Sequence, residues 1–196
     1  MRRTTTVAAG LAAAALAATA LAAPASASNA RSSATLWQAV QGTDALSTLE
    51  FAITASDATQ GTDYIGALSD RSAYFTVFAP TNDAFEKVAD ELFEEKGLGD
   101  GTVGTLATYL VTEGLLDEVL AYHVAAADRP AASLVKRAKN VSIATLLAGA
   151  SLTVTPQATV RDAAPSTSDA GIAAADIRVA NGRVHVITNV LVPLAI

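Results

Sequence analysis

The two histidines have the most versatile side-chain chemistry in this chain. His123 and His185 are the only histidines among 196 residues, and there is no cysteine. An imidazole titrates near neutral pH, so either histidine could transfer a proton or bind a metal ion. Neither has a recognised metal-ligand spacing, and the sequence lacks a nucleophile elbow, a phosphate loop and a calcium loop. We therefore interpret both as structural residues, with a hydrolase that uses His123 or His185 as the alternative.

Residues 75–85, FTVFAPTNDAF, predict a buried strand that leads directly into a helix. β-Branched and aromatic residues run up to Pro80, which has no N–H to continue a ladder. Thr81 stands at the expected N-cap, and Asp83 lies in the first turn, where negative charge suits the helix dipole. We interpret Thr81, Asn82 and Asp83 as capping and turn residues. The alternative is an exposed polar triad that binds a ligand.

A second motif, ADIRVANGRVHVITNVLVP at residues 175–193, predicts a hairpin. Asn181-Gly182 favours a type I′ turn, which needs positive φ at both central residues. In the strand that follows, alternation places His185 on the face opposite Val184. We therefore predict structural roles for Asn181, Gly182 and His185.

Together, these two motifs resemble the signature stretches of the fasciclin (FAS1) domain, an extracellular module of adhesion and ligand-binding proteins. Tyr122-His123, between them, matches a third landmark of that family. The resemblance implies an α+β fold, with a wedge of two β-sheets flanked by helices, in a single domain over residues 34–196. The family usually has an acidic residue at the position of Thr188.

The resemblance also implies candidate contact residues for a partner. In some animal members of the family, the Tyr-His region and an Asp-Ile pair are associated with integrin binding. Transferred position by position, this association selects Tyr122, His123, Asp176 and Ile177. The resemblance implies no catalytic residue, cofactor or metal ion.

The first residues of the chain have the features of an export signal. Residues 1–27 combine a basic start, an alanine-leucine run and small residues at positions 25–27, which signal peptidase reads. Cleavage before Ser28 leaves a Ser/Ala-rich segment, residues 28–33, that we expect to be flexible. Without cysteine there is neither a lipid-attachment site nor a disulfide. The leader predicts secretion, and the alanine-rich, cysteine-free composition favours a bacterial source. We expect the mature protein to be extracellular or held non-covalently at the cell wall.

The charge of the chain bears on its partners. The formal net charge is −6, and removing the leader with its two arginines would make it −8. This acidity argues against binding to nucleic acids and to anionic membrane surfaces, because both require basic patches. After the leader, no apolar stretch is long enough to span a bilayer, so we expect no membrane insertion of the mature form. Lys136, Arg137 and Lys139 form the one basic cluster, which we interpret as a solvated turn.

The sequence favours a secreted, non-enzymatic binding or adhesion module that contacts extracellular proteins or glycans. A single copy offers one contact surface, and a single small contact is usually weak. Soluble ligand binding or membership of a larger matrix is therefore favoured over direct adhesion between cells. The alternative is a small-molecule carrier with an apolar pocket beneath a mobile loop predicted at residues 162–174. The sequence does not indicate an oligomeric state.

Overall fold

The computed structural model describes residues 32–97, 101–164 and 167–193. The expected signal peptide, residues 1–27, and residues 28–31 lie outside the described residues. Ser32 and Ser33 are held against the fold, although they belong to the segment that we expected to be flexible. The Ser32 N–H donates to the Arg178 carbonyl at 3.1 Å, and the Arg71 guanidinium donates to the Ser33 carbonyl at 2.9 Å.

Helices dominate the first part of the described chain, and strands dominate the last part. The helices are α1 (Leu36–Gln41), α2 (Ser47–Thr59), α3 (Tyr64–Ser69), α4 (Asn82–Glu95), α5 (Val103–Thr112), α6 (Leu116–Tyr122) and α7 (Ala131–Leu134), with a 3₁₀ turn at Asp44–Leu46. The strands are β1 (Phe75–Pro80), β2 (Val124–Ala126), β3 (Val141–Ala144), β4 (Ser151–Val154), β5 (Thr159–Arg161), β6 (Ala170–Val179) and β7 (Gly182–Ile187). This arrangement confirms the predicted α+β fold in a single domain.

The strands follow the order β2-β1-β7-β6-β5-β4-β3. β1 and β7 pair in parallel, and the other pairs are antiparallel. The long strand β6 joins two groups of strands, and its pairing with β7 shifts register twice between Ile172 and Ile177. The two ends of the sheet approach each other where the Leu146 N–H donates to the Val124 carbonyl at 2.7 Å. The seven strands therefore form one curled sheet with helices packed against it, in agreement with the α+β fold that the resemblance implies.

Two apolar clusters fill the fold. The larger packs the helices against one side of the sheet and includes Leu36, Val40, Leu49, Val88, Leu106 and Val184. The smaller lies inside the curl and includes Phe78, Tyr122, Leu134, Ile143, Leu152 and Ile187. β1 faces both clusters, because Val77 belongs to the larger and Phe78 to the smaller. Its burial on both sides explains why its sequence is apolar at nearly every position.

The polar residues Thr81 and Asn82 of the strand-to-helix corner make hydrogen bonds to helix ends within the fold. The Thr81 hydroxyl accepts the Ala84 N–H at 3.3 Å, which confirms the predicted N-cap of α4. The Asn82 amide reaches the start of α2, where it accepts the Thr48 N–H at 2.9 Å and donates to the Asp44 carbonyl at 3.0 Å. Asp83 lies exposed in the first turn of α4. Thr81 and Asn82 thus connect helix ends.

The hairpin at Asn181-Gly182 forms, but the predicted type I′ turn is wrong. Val179 pairs with Gly182, so the turn residues are Ala180 and Asn181, and neither has positive φ. The Asn181 side chain is fully buried and makes three hydrogen bonds to backbone groups. Its oxygen accepts the Leu36 N–H at 2.8 Å, and its amide donates to the carbonyls of Leu68 and Asp70 at 3.0 and 2.9 Å. Tertiary hydrogen bonds, not the turn type, require asparagine here.

A close contact between two backbones, not turn geometry, requires glycine at position 182. Gly182 begins β7 with a φ of +153° and lies directly against Phe75 of the parallel neighbour β1. A Cβ atom built at Gly182 would overlap the Phe75 carbonyl oxygen. Only glycine allows the two backbones to approach this closely.

We expect Gly182→Ala to lower the free energy of unfolding by about 3 kcal/mol, because the new methyl group forces β7 away from β1. Urea denaturation followed by circular dichroism measures this. Gly149→Ala is the matched control: Gly149 also has positive φ, +78°, but nothing lies within 4 Å of a Cβ built there. The control should cost about 1 kcal/mol. Equal losses at both sites would show that close approach is not what selects glycine at Gly182.

We expect Asn181→Ala to cost about 3 kcal/mol, because it leaves one buried N–H and two carbonyls without partners. The exposed Asn140 provides the control, and Asn140→Ala should change the free energy of unfolding by less than about 0.5 kcal/mol. The same urea titration serves both variants. A loss below about 1 kcal/mol for Asn181→Ala would contradict the anchoring role.

Candidate functional site

The segment from the end of β2 to the first residue of α7, residues 127–131, lies across one face of the central strands; we call it the strap. In-register pairing of β1 with β7 places Thr76 beside Arg183 on this face. The Thr76 hydroxyl donates to the Ala127 carbonyl at 2.8 Å and accepts the Arg129 N–H at 2.8 Å. Ala127 has a φ of +88°, which lets the chain turn onto the sheet.

Arg183 is the buried charge beneath the strap. Its side chain is only 8% exposed, and its guanidinium donates to one carboxylate oxygen each of Asp128 and Asp176, the latter at 2.9 Å. Asp176 also accepts the Ala131 N–H at 2.9 Å. A buried guanidinium is stable only when it is paired and hydrogen-bonded, so the two carboxylates fix the strap over Arg183.

Asp176 occupies an unusual backbone position. Its φ is +61°, in the left-handed region, and it lies in the irregular part of β6. Aspartate is one of the few residues besides glycine that tolerate this conformation, and such bulges redirect a side chain. Here the bulge directs the carboxylate towards Arg183 and Ala131.

His185 completes the contacts beneath the strap. Its Nε2 lies 3.0 Å from the Arg129 carbonyl and therefore carries the proton, while Nδ1 accepts the Asp176 N–H at 3.3 Å. The ring stacks on Phe78, with centroids 5.7 Å apart and an interplanar angle of 29°. The side chain is fully buried, and burial lowers the pKa of His185. A neutral imidazole fits these contacts, because Nδ1 must accept.

His123 makes an analogous pair of backbone contacts elsewhere. Its Nδ1 donates to the Val119 carbonyl at 2.7 Å, and its Nε2 accepts the Leu191 N–H at 2.9 Å. Burial lowers the pKa of His123 to about 4, and only the Val119 carbonyl acts in the opposite direction. The ring joins the end of α6 to the segment after β7.

Tyr122 is also buried and hydrogen-bonded to the backbone. Its hydroxyl donates to the Ser151 carbonyl at 3.2 Å. Burial, together with the nearby Asp162 carboxylate, raises the pKa of Tyr122 to about 12. Burial likewise raises the pKa of Asp162, whose carboxylate accepts the Val192 N–H at 2.7 Å and the Thr167 hydroxyl at 3.1 Å.

The four candidate contact residues do not form one site. Tyr122 and His123 are at most 3% exposed and bond α6 to neighbouring segments. The Asp176 side chain is 40% exposed, whereas Ile177 is half-buried and packs against the larger apolar cluster. The structure instead brings Asp176 together with His185 beneath the strap.

Sequence reasoning missed three members of this polar network. Thr76, Asp128 and Arg183 come from three separate segments that meet only in the folded chain. One signal was available: Thr76 interrupts an otherwise apolar buried strand, and a buried hydroxyl needs a hydrogen-bonding partner.

The hydrolase alternative requires a partly open histidine bonded to a carboxylate and a hydroxyl. In the described part of the chain, the ring nitrogens of His123 and His185 contact backbone groups instead. No group of three or more metal-ligating side chains occurs among residues 32–97, 101–164 and 167–193. Within the same ranges, no helix has the length and apolarity needed to span a bilayer.

The loop expected at residues 162–174 is shorter than predicted, because β6 begins at Ala170. An open cleft of about 390 Å³ lies beside the start of this loop, at Tyr122, Ala163 and Pro193. A fully apolar cavity lies elsewhere, among α2, α4, α5 and α6, and its volume is about 30 Å³. That volume admits about one water-sized molecule, which is too small for a carried ligand.

We expect His123 to make unfolding pH-dependent. Its folded pKa of about 4 lies below the ordinary 6.5, so the unfolded chain binds more protons between these values. The stabilisation of the folded state by the neutral His123 ring is complete above about pH 6.5. It is lost as the pH falls towards 4, at up to about 1.4 kcal/mol per pH unit. Urea denaturation at several pH values measures the slope.

His123→Gln is the comparison for this measurement, because an amide supplies one donor and one acceptor but does not titrate. Carboxylates and His185 contribute equally to both proteins, so the difference between the two slopes isolates His123. Identical slopes between pH 6.5 and 4 would mean that His123 titrates normally.

The fold and its sequence match known proteins. A model of the Fasciclin domain family matches residues 49–193. Protein sll1483 of Synechocystis sp. is 32% identical over 164 residues, which cover 83% of this chain and 75% of that protein. The solved structure of a FAS1 domain pair, from the insect cell adhesion molecule Fasciclin I, matches 82% of this chain with a TM-score of 0.60 and 18% identity.

This chain spans 51% of the length of that domain pair. At 18% identity, the likeness between the two structures shows a shared fold. The family model and the similarity to Protein sll1483 each extend over most of the chain. The chain therefore belongs to the fasciclin domain family.

Proposed function

We propose that this chain is an exported, non-enzymatic binding module whose partner is a protein or a glycan outside the cell. Fasciclin domains are generally non-catalytic adhesion modules of extracellular or surface proteins. The leader-like residues 1–27 support export, with the mature form either released or held non-covalently at the cell wall.

One observation carries the non-enzymatic part of this proposal. The side chains best suited to chemistry bond the backbone of their own fold. His123 joins α6 to the segment after β7, and His185 joins β7 to the strap. A histidine that acts as a general base needs a free nitrogen within reach of a substrate proton. Both imidazoles serve as structural cross-links instead.

The polar network beneath the strap supports the binding part. Arg183 and His185 anchor the strap from below, and Asp176 remains 40% exposed at its edge beside Ile177. A carboxylate fixed by a buried arginine is preorganised, so little conformational entropy is lost when a partner contacts it. The Asp176-Ile177 pair is therefore our candidate for protein contact. Tyr122 and His123 would support the fold without touching the partner.

We expect residues 28–196 to be retained by cell-surface material of the organism that encodes the protein. A single domain gives a weak contact, so co-sedimentation at high protein concentration is the suitable measurement. Protease treatment of the surface material abolishes retention by a protein partner, and periodate oxidation abolishes retention by a glycan.

Two results would overturn this function. One is the absence of retention on any surface fraction. The other is a hydrolytic activity of the purified protein that disappears in a folded His123→Gln or His185→Gln variant.

A further inference from the structure

The bulge in β6 takes one of its hydrogen bonds from a side chain instead of a strand. Between two successive pairs of the β6–β7 register, Ala175 and Asp176 of β6 lie opposite the single residue His185 of β7. In a regular antiparallel ladder, the N–H groups that face the neighbouring strand donate to its carbonyls. The Asp176 N–H donates instead to Nδ1 of His185, at 3.3 Å. An imidazole nitrogen therefore takes the place of a backbone acceptor.

This acceptor exists only while His185 is neutral. The ring donates its Nε2 proton to the Arg129 carbonyl at 3.0 Å, so a second proton can bind only at Nδ1. A protonated imidazole has a donor at each nitrogen. Its Nδ1–H would face the Asp176 N–H, and two donors cannot form a hydrogen bond. Binding of one proton thus removes the hydrogen bond that closes the bulge.

Charged groups from three elements face the His185 ring. Arg183 lies on the same side of β7 and opposes protonation, whereas Asp128 of the strap and Asp176 of the bulge favour it. The neighbouring strand β1 contributes the uncharged ring of Phe78. Burial has the largest effect and lowers the pKa of His185 below the ordinary 6.5. The neutral ring is therefore kept at neutral pH, and it gains its proton only in acid.

The bulge in turn holds the strap. The Asp176 carboxylate accepts the Ala131 N–H and the Arg183 guanidinium through the same oxygen, Oδ1, at 2.9 Å each. Both contacts depend on the direction that the left-handed φ of +61° gives to the Asp176 side chain. A non-glycine residue keeps such a conformation only when its surroundings maintain it. Loss of the N–H acceptor removes part of that support, and the new Nδ1–H attracts the carboxylate away from the strap.

We propose that His185 is a pH-sensitive lock on the bulge: protonation at Nδ1 in mildly acidic solution frees Asp176 and, with it, the strap. At neutral pH the lock keeps the Asp176-Ile177 pair in one fixed arrangement, which favours contact with a partner. In acid the pair loses this arrangement, and contact with the partner weakens. This inference rests on the proposed function and adds a regulation of its contact surface.

The amide resonances of wild-type residues 28–196 test the lock directly. In a titration from about pH 8 to about pH 4.5, the Asp176 and Ala131 amides should move with one midpoint below 6.5. The imidazole nitrogens of His185 should report the same midpoint. The Leu36 amide is the control, because its acceptor is also a buried side chain, that of Asn181, which does not titrate. An Asp176 amide that does not move together with the His185 ring overturns the lock.

Two variants assign the response to one histidine. His185→Gln keeps a donor and an acceptor at this position but does not titrate, so the amides of the bulge should stay in place. His123→Gln is the matched control: it removes the other buried histidine and should leave the midpoint unchanged. If His185→Gln does not fold, the His123→Gln titration still decides the assignment. A response that persists in folded His185→Gln, or disappears in His123→Gln, overturns the lock.

Retention by cell-surface material separates the lock from the proposed function. The wild type should be retained at least about threefold more strongly at about pH 7 than at about pH 5, and this ratio should fall to about one in His185→Gln. Comparing the two ratios removes the effect of acid on the surface material itself. Equal retention of the wild type at both pH values overturns the regulation and leaves the proposed function standing. Absence of retention at neutral pH overturns the proposed function, whereas the amide titration still decides the lock.

Discussion

The parallel pairing of β1 with β7 is the contact on which both signature stretches depend. It joins residues 75–80 to residues 182–187 over six registered pairs. Gly182 permits the close approach at one end, and at the other the Thr81 N–H donates to the Ile187 carbonyl at 3.2 Å. Residues far apart in the sequence must find each other for this pairing to form, so loop-closure entropy opposes it. The hydrogen bonds of the Asn181 side chain and of the Thr81 N–H, at the two ends of this pairing, help to offset that entropy.

Local chemistry was enough to predict the corner and the alternation of β7. Thr81 caps α4 because its neighbours in sequence supply the orphan amide, and no distant contact is needed. Local chemistry was not sufficient to predict the turn of the hairpin. Asn181 looks like a turn residue, yet its three partners lie in α1 and around α3, so its conformation follows tertiary hydrogen bonds. Thr188 shows the converse: its hydroxyl accepts the Gly171 N–H at 2.9 Å, a role that an acidic side chain could also fill.

The candidate site was predictable only in part, for the same reason. Both histidines could be interpreted as structural because no ligand spacing surrounds them. Their partners could not be named, because each ring bridges segments that are adjacent only in the fold. The burial of Arg183 could not be predicted from the sequence, because an arginine in a strand usually points to solvent. Its burial follows from Asp128 and Asp176, which approach from the strap and from a bulge in β6.

The polar residues of the signature stretches are used within the fold. The residues that mark the family are occupied by the fold: His123, His185 and Asn181 hold backbone segments together. The exposed positions of the outer helices take no part in these hydrogen bonds. The exposed side of α5, for example, holds Gly104, Thr108 and Thr112, which are weak helix formers. Weak helix formers are tolerated there because Leu106 and Leu110, on the opposite side of α5, bury it against the larger cluster.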